Sequence, residues 1–161
     1  MMTTLALLLF LRLASFNSMP NDLTEFLAQE ESSGGKNPKA LVPDQDKALG
    51  KYQITPSMYA EIQKMFPEFA NIPFERAALE GGLDLKAAEA GIQVVMRQIA
   101  SELNAAPTPA LIATVWQQGI GNMKKAFKKA KATGNTITPY LGEIGQRRFE
   151  RATAALPSPQ G

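Results

Sequence analysis

A mainly α-helical single domain is the fold class this sequence predicts, and three observations predict it. Apolar residues recur at helical spacing in several segments, most cleanly at Ile92, Val95, Met96, Ile99 and Leu103. Helix punctuation stands between the segments, with Thr55-Pro56 as a start signal and Gly34-Gly35 and Gly134 as stops. The chain has 161 residues, 45% of them hydrophobic, which suits one ordinary domain around one sizeable core. Beside the helices the sequence leaves room for at most a small hairpin, in the polar stretch over residues 36–50.

Residues 1–18 stand apart as an apolar segment. The run Leu5 to Leu11 is strongly apolar, Arg12 interrupts it, and Leu13-Ala14 follow. Spanning a bilayer takes about 20 apolar residues, so the run is too short to cross one. Its length suits the apolar region of a secretion signal. Against that, no Lys or Arg precedes it and Leu13-Ala14-Ser15 is a weak cleavage site. A short anchor associating residues 4–14 with a membrane is the companion reading, and a helix packed on the domain or an extended start upstream of Met19 is the equal alternative.

The domain is expected over residues 19–155. A first helix starts near Met19-Pro20-Asn21-Asp22, with Asn21 or Asp22 as its cap, and shows Leu23, Phe26 and Leu27 on one face. That face runs on to Glu30 and Glu31, so a carboxylate emerges from an apolar stripe. Pro56 opens a second helix with Met58, Ile62, Met65 and Phe66 on its face. Pro67 and Pro73 punctuate the link onward. A long helix follows over 86–104, and Pro107 and Pro109 separate it from one carrying Leu111, Ile112 and Val115. Gly119 and Gly121 break that helix. A basic helix runs from Met123 to Lys131, and a last helix from about Tyr140 to Ala155. Residues 156–161 read as a disordered tail.

Composition excludes much chemistry. There is no cysteine and no histidine, which rules out disulfides, Cys or His metal sites, Ser-His-Asp triads and Cys-His dyads. Chemistry here must use carboxylates, hydroxyls, amides, Lys, Arg or Tyr. No metal and no cofactor is expected. The net charge of +2 leans weakly toward an anionic partner. The lysines Lys124, Lys125, Lys128, Lys129 and Lys131 form a solvated helix face by default, and attraction to anionic wall polymer or a membrane surface is the minor reading. No recognition motif accompanies them, so no nucleic acid is expected as a partner.

Two motifs stand in order: Glu31-Ser32-Ser33-Gly34, then Gly50-Lys51-Tyr52-Gln53-Ile54-Thr55-Pro56. An acid at a helix end can protonate the leaving oxygen of a glycosidic bond. Glu-Ser-x-Gly followed by Gly-x-x-Gln-Ile-x-Pro resembles the soluble lytic transglycosylase domain of the lysozyme-like superfamily. Ala113-Thr114-Val115-Trp116-Gln117-Gln118-Gly119 lies where that family has Ala-x-x-Tyr-Asn-x-Gly, and Thr138-Pro139-Tyr140-Leu141 lies where it has Glu-Thr-x-x-Tyr-Val. The resemblance covers about residues 22–152. The loop between Glu31 and Gly50 is longer than the family's, and Trp116-Gln117 replaces Tyr-Asn. The wording Gly-Lys-Tyr-Gln-Ile resembles phage-borne versions of the domain.

The resemblance implies a lysozyme-like fold and a peptidoglycan lytic transglycosylase without cofactor, acting on glycan strands in the cell envelope, the periplasm or from a phage virion. It implies Glu31 as the one acid and base: it protonates the bond between N-acetylmuramic acid and N-acetylglucosamine, then takes the proton of the muramyl C6 hydroxyl as a 1,6-anhydro ring closes. Ordinary glycoside hydrolysis uses two carboxylates. On helix logic alone a surface role suits Glu31, and Glu30 is an equal candidate. Ser32, Gly50, Tyr52, Gln53, Trp116, Gln117 and Tyr140 are the expected substrate-binding residues. Gln53 can both donate and accept hydrogen bonds to a sugar. Gly50 would let backbone approach the sugar, or simply make a turn. Tyr52 beside Ile54, and Trp116 after Val115, fit a core as well as a stacking surface. Gln117 would replace the family Asn, and the Tyr140 hydroxyl would orient Glu31 or cap a helix. Asp44 and Asp46 would supply a second carboxylate to a hydrolytic muramidase of the same fold, although turn capping is the simpler reading. A non-catalytic wall-binding component of a virion or envelope machine would keep the cleft without needing Glu31.

Overall fold

The computed structural model describes residues 20–43 and 47–156. Of these, 72% are helical and none forms a strand. Seven α-helices follow in order: α1 (Pro20–Ser32), α2 (Pro56–Met65), α3 (Phe74–Leu79), α4 (Leu83–Glu102), α5 (Pro109–Gln118), α6 (Ile120–Thr133) and α7 (Gly142–Ala155). Short 3-10 turns sit at Pro38–Leu41, Pro67–Phe69 and Thr138–Tyr140. Where a small hairpin was expected, the chain makes one isolated antiparallel bridge, Leu49 to Ile54.

The helix ends follow local chemistry. The Thr55 hydroxyl accepts from the Met58 amide with Pro56 in the first turn, and Thr108 does the same for Leu111 with Pro109 behind it. Gly134 closes α6 in the left-handed conformation. Several boundaries differ from the sequence reading. Asn21 and Asp22 are already helical in α1, so neither is its cap. α6 begins at Ile120, so Gly119 (φ 79°) breaks the chain alone and Gly121 lies within the helix. Nothing lies within contact of a side chain at Gly121, and an exposed helical glycine costs only about 1 kcal/mol. α3 was not expected; six residues are too few to show a period. Leu156, assigned from sequence to the tail, caps α7 and is buried.

α4 is the central helix. It touches α1, α2, α3, α5 and α6, while α5 lies along α7. Ile92, Val95, Met96, Ile99 and Leu103 are all buried, as their spacing requires. Leu23 and Leu27 of α1, Ile62 of α2 and Ile112 of α5 complete the core. Tyr59 joins them, donating its hydroxyl to the Ile72 carbonyl at 2.7 Å. This core holds the ends of α1, α5 and α7 in fixed register, and the candidate site is built from those ends.

Candidate functional site

Helical periodicity carries Leu23 and Leu27 into the core and brings Glu30 and Glu31 to its rim one turn later. Their side chains are 16% and 15% exposed. Two arginines of α7 meet them. Arg148, only 4% exposed, donates from Nη1 to Glu31 Oε1 at 2.6 Å. Its buried Nε makes no hydrogen bond but lies 3.5 Å from Glu30 Oε2, within reach of an ion pair. Arg151 grips Glu30 with two bonds, Nε to Oε1 at 2.9 Å and Nη2 to Oε2 at 2.6 Å. Glu31 Oε2 has no hydrogen-bond partner among the described residues.

The arginines were not foreseen from sequence, although a signal existed. Leu141, Gly145, Arg148 and Ala152 recur at helical spacing on the buried face of α7. A charge inside such a stripe demands a counter-ion, because an unpaired buried charge is prohibitive. Sequence separation hid which acid supplies it.

The Gly50–Ile54 turn is locked to the end of α1 through Ser32. That side chain is 2% exposed. Its hydroxyl donates to the Lys51 carbonyl at 2.6 Å, contacts the Ala28 carbonyl at 3.2 Å and accepts from the Gly35 amide at 2.8 Å. Gly50 has φ 83°, and a Cβ there would sit 2.1 Å from the Ala78 carbonyl oxygen. The glycine is therefore required by close backbone approach within the protein. Gln53, at φ 50°, donates Nε2 to the carbonyls of Ala40 (3.2 Å) and Gly50 (2.9 Å). Its donor is spent on the turn itself.

Tyr52 and Trp116 are buried together. The Trp116 indole donates to the Tyr52 carbonyl at 2.9 Å, and its ring packs where Gly91 leaves room. Burial raises the Tyr52 pKa, and the negative charges of Asp84, Glu89 and Glu25 add to the rise. The structure thus corrects the expected contacts for Ser32, Tyr52 and Trp116. The Ser32 hydroxyl and the Trp116 indole are spent on protein carbonyls, and all three residues are buried beneath the site.

Gln117 and Tyr140 do come together, in a cleft of about 400 Å³ between the end of α5, one face of α6 and the start of α7. Gln118, Asn122, Lys125 and Lys129 line it with them. Gln117 Oε1 is buried and receives no hydrogen bond. The Tyr140 hydroxyl shares a bond with Thr133 Oγ1 at 2.7 Å and accepts from Asn135 Nδ2 at 3.2 Å. These two bonds lower its pKa, with a smaller contribution from Lys129. Tyr140 is therefore held by the end of α6, and it is Arg148 that orients Glu31. The cleft and the Glu31–Arg148 pair share α7: from Gly142 to Arg148 the helix rises roughly 9 Å.

Asp44, Asp46 and residues 1–18 lie outside the described residues. Among the described residues no helix is long and apolar enough to cross a membrane, and no group of three acidic side chains is placed to hold a metal. The chain matches no protein-family model, no curated protein and no solved structure.

Proposed function

We propose that this protein is a peptidoglycan lytic transglycosylase with a lysozyme-like fold and Glu31 as its general acid and base. The observation that carries the reading is Glu31 at the end of a core helix, fixed by a buried arginine and locked through Ser32 to the Gly50–Ile54 turn. The first two motifs named from sequence thus meet at the end of α1.

The chemistry suits one carboxyl group. Protonated on Oε2, the oxygen clear of Arg148, Glu31 gives that proton to the glycosidic oxygen, the bond from that oxygen to the muramyl C1 breaks, and the sugar leaves as an alcohol. The muramyl C6 oxygen then bonds to C1, and its proton returns to Glu31. Between the two transfers Glu31 is an anion, and the Arg148 guanidinium stabilises it with a charge-assisted bond. Arg148 occupies Oε1, which leaves Oε2 to handle the proton. Glu30, the adjacent carboxylate, is clamped by Arg151 and is poorly placed to activate water as hydrolysis would require.

The test is digestion of purified peptidoglycan with mass analysis of the soluble products. Transglycosylation yields 1,6-anhydro-muramic ends, lighter by one water than the reducing ends a muramidase makes. Glu31→Gln should lower lysis by at least about a hundredfold, in line with general acid catalysis, while wall binding persists. Full lysis by Glu31→Gln sinks the assignment. Wall binding without any product favours a non-catalytic wall-binding role.

A further inference from the structure

The cleft bounded by α5, α6 and α7 presents unspent hydrogen-bonding groups. Lys124 has Glu102 as its partner at 3.3 Å, but Lys125 and Lys129 form no ion pair with any described residue. They stand one helical turn apart on the side of α6 that lines the cleft, an arrangement that costs stability through like-charge repulsion. The floor carries acceptors. Gln118 spends Nε2 on the Leu141 carbonyl and Asn122 spends Nδ2 on the Gln118 carbonyl, which turns their amide oxygens over to other donors. Gln117 Oε1 is buried and unmet. The backbone at Leu141 and Gly142, where α7 starts without a side-chain cap, closes the far wall, and a helix start favours negative charge. The one acid in that first turn, Glu143, is paired with Arg147.

Two free cations, a helix start and several free amide oxygens fit a ligand that carries both a carboxylate and N–H or O–H donors. We infer that this cleft binds a carboxylate-bearing muramyl group, with Lys125 and Lys129 holding the carboxylate and Gln117 accepting from the sugar or its peptide. The assignment rests on the reading of the protein as a glycan-cleaving enzyme and adds a specificity element to it. It implies preference for wall strands that keep their acidic peptide over neutral chitin-like strands.

The experiment is an NMR titration of the full chain with muramyl dipeptide, which has no glycosidic bond to cut, and with its neutral methyl ester. The acid should shift the amide signals of residues 117–129 and 140–142, and the ester should bind about tenfold more weakly, the value of one lost charge-assisted bond. The double variant Lys125→Gln/Lys129→Gln, whose fold is checked by thermal melting, should lose that discrimination. Equal binding of acid and ester, shifts elsewhere, or an unchanged double variant would overturn the proposal. Equal competition by inorganic phosphate would reduce the cleft to a generic anion site and overturn it too. Wall lysis with no titration of the cleft sinks this site and leaves the enzyme standing. Titration without lysis sinks the enzyme and leaves a muramyl-binding site.

Discussion

Arg148 is the residue on which the proposed chemistry and the stability of the site both depend. It is nearly sealed from solvent, and its partners Glu30 and Glu31 are mostly covered. Removing one member of a buried ion pair leaves an uncompensated charge, which typically costs about 3–5 kcal/mol. Arg148→Ala should therefore destabilise by about 3 kcal/mol, the lower figure because both carboxylates retain some water. Urea unfolding measures it, and a loss below about 1 kcal/mol would show that the pair is worth no more than a surface salt bridge. Arg148→Lys separates packing from orientation: a lysine keeps the charge but not the planar fork. Its kcat on peptidoglycan should fall further than its stability. Arg151, half exposed, matters less, because solvent already screens its grip on Glu30.

At the scale of elements, the Leu49–Ile54 turn shows how a short motif can be legible in type while its packing contacts are not. Gly50, Gln53 and Thr55-Pro56 are each where sequence chemistry puts them. Pro56 and the Thr55 cap open α2 as read, because capping is decided by neighbours a few residues away. The duties of Gly50 and Gln53 are decided by tertiary contacts with Ala78 and Ala40, which no spacing reveals. Gly50→Ala should lower stability by well over 1 kcal/mol, since it adds strain at positive φ to a clash with a backbone oxygen. A shift in thermal midpoint of less than a degree would contradict the close approach to Ala78. The same distinction explains the rest of the site. The place of Glu30 and Glu31 at the rim of the core was legible because they end a periodic helix face. Arg148, the partner of Glu31, was not, because 117 residues separate them. Tyr140 was read as orienting Glu31 or capping a helix; its hydroxyl meets Thr133 and Asn135, which reach it only through the way α6 ends.

For the whole molecule, the long apolar stripe of α4 and the proline and glycine punctuation made a mainly helical single domain readable. What could not be read was how few strand residues the loop would supply. Two buried tyrosines give the domain a testable pH limit. Burial raises the pKa of both Tyr52 and Tyr59 above the ordinary value of 10.0. The folded state then holds those protons more tightly than the unfolded chain. Their stabilisation is complete below pH 10 and is lost as the pH climbs from there through the folded values. Tyr140 acts in the opposite sense, but it is solvent-facing and adds little. Melting temperature should therefore hold level into mildly alkaline solution and fall beyond about pH 10. Tyr59→Phe, which removes one of the two groups, should flatten that fall; an unchanged alkaline slope would place the cause elsewhere.

The bond from the Trp116 indole to the Tyr52 carbonyl has a further use. The chain has one tryptophan, so its indole proton gives a single, unambiguous resonance and its ring a single emission spectrum. That proton can exchange with solvent only when the turn leaves α5. One exchange rate, read at one nucleus, thus reports how often the floor of the candidate site opens, without any probe being added to the molecule.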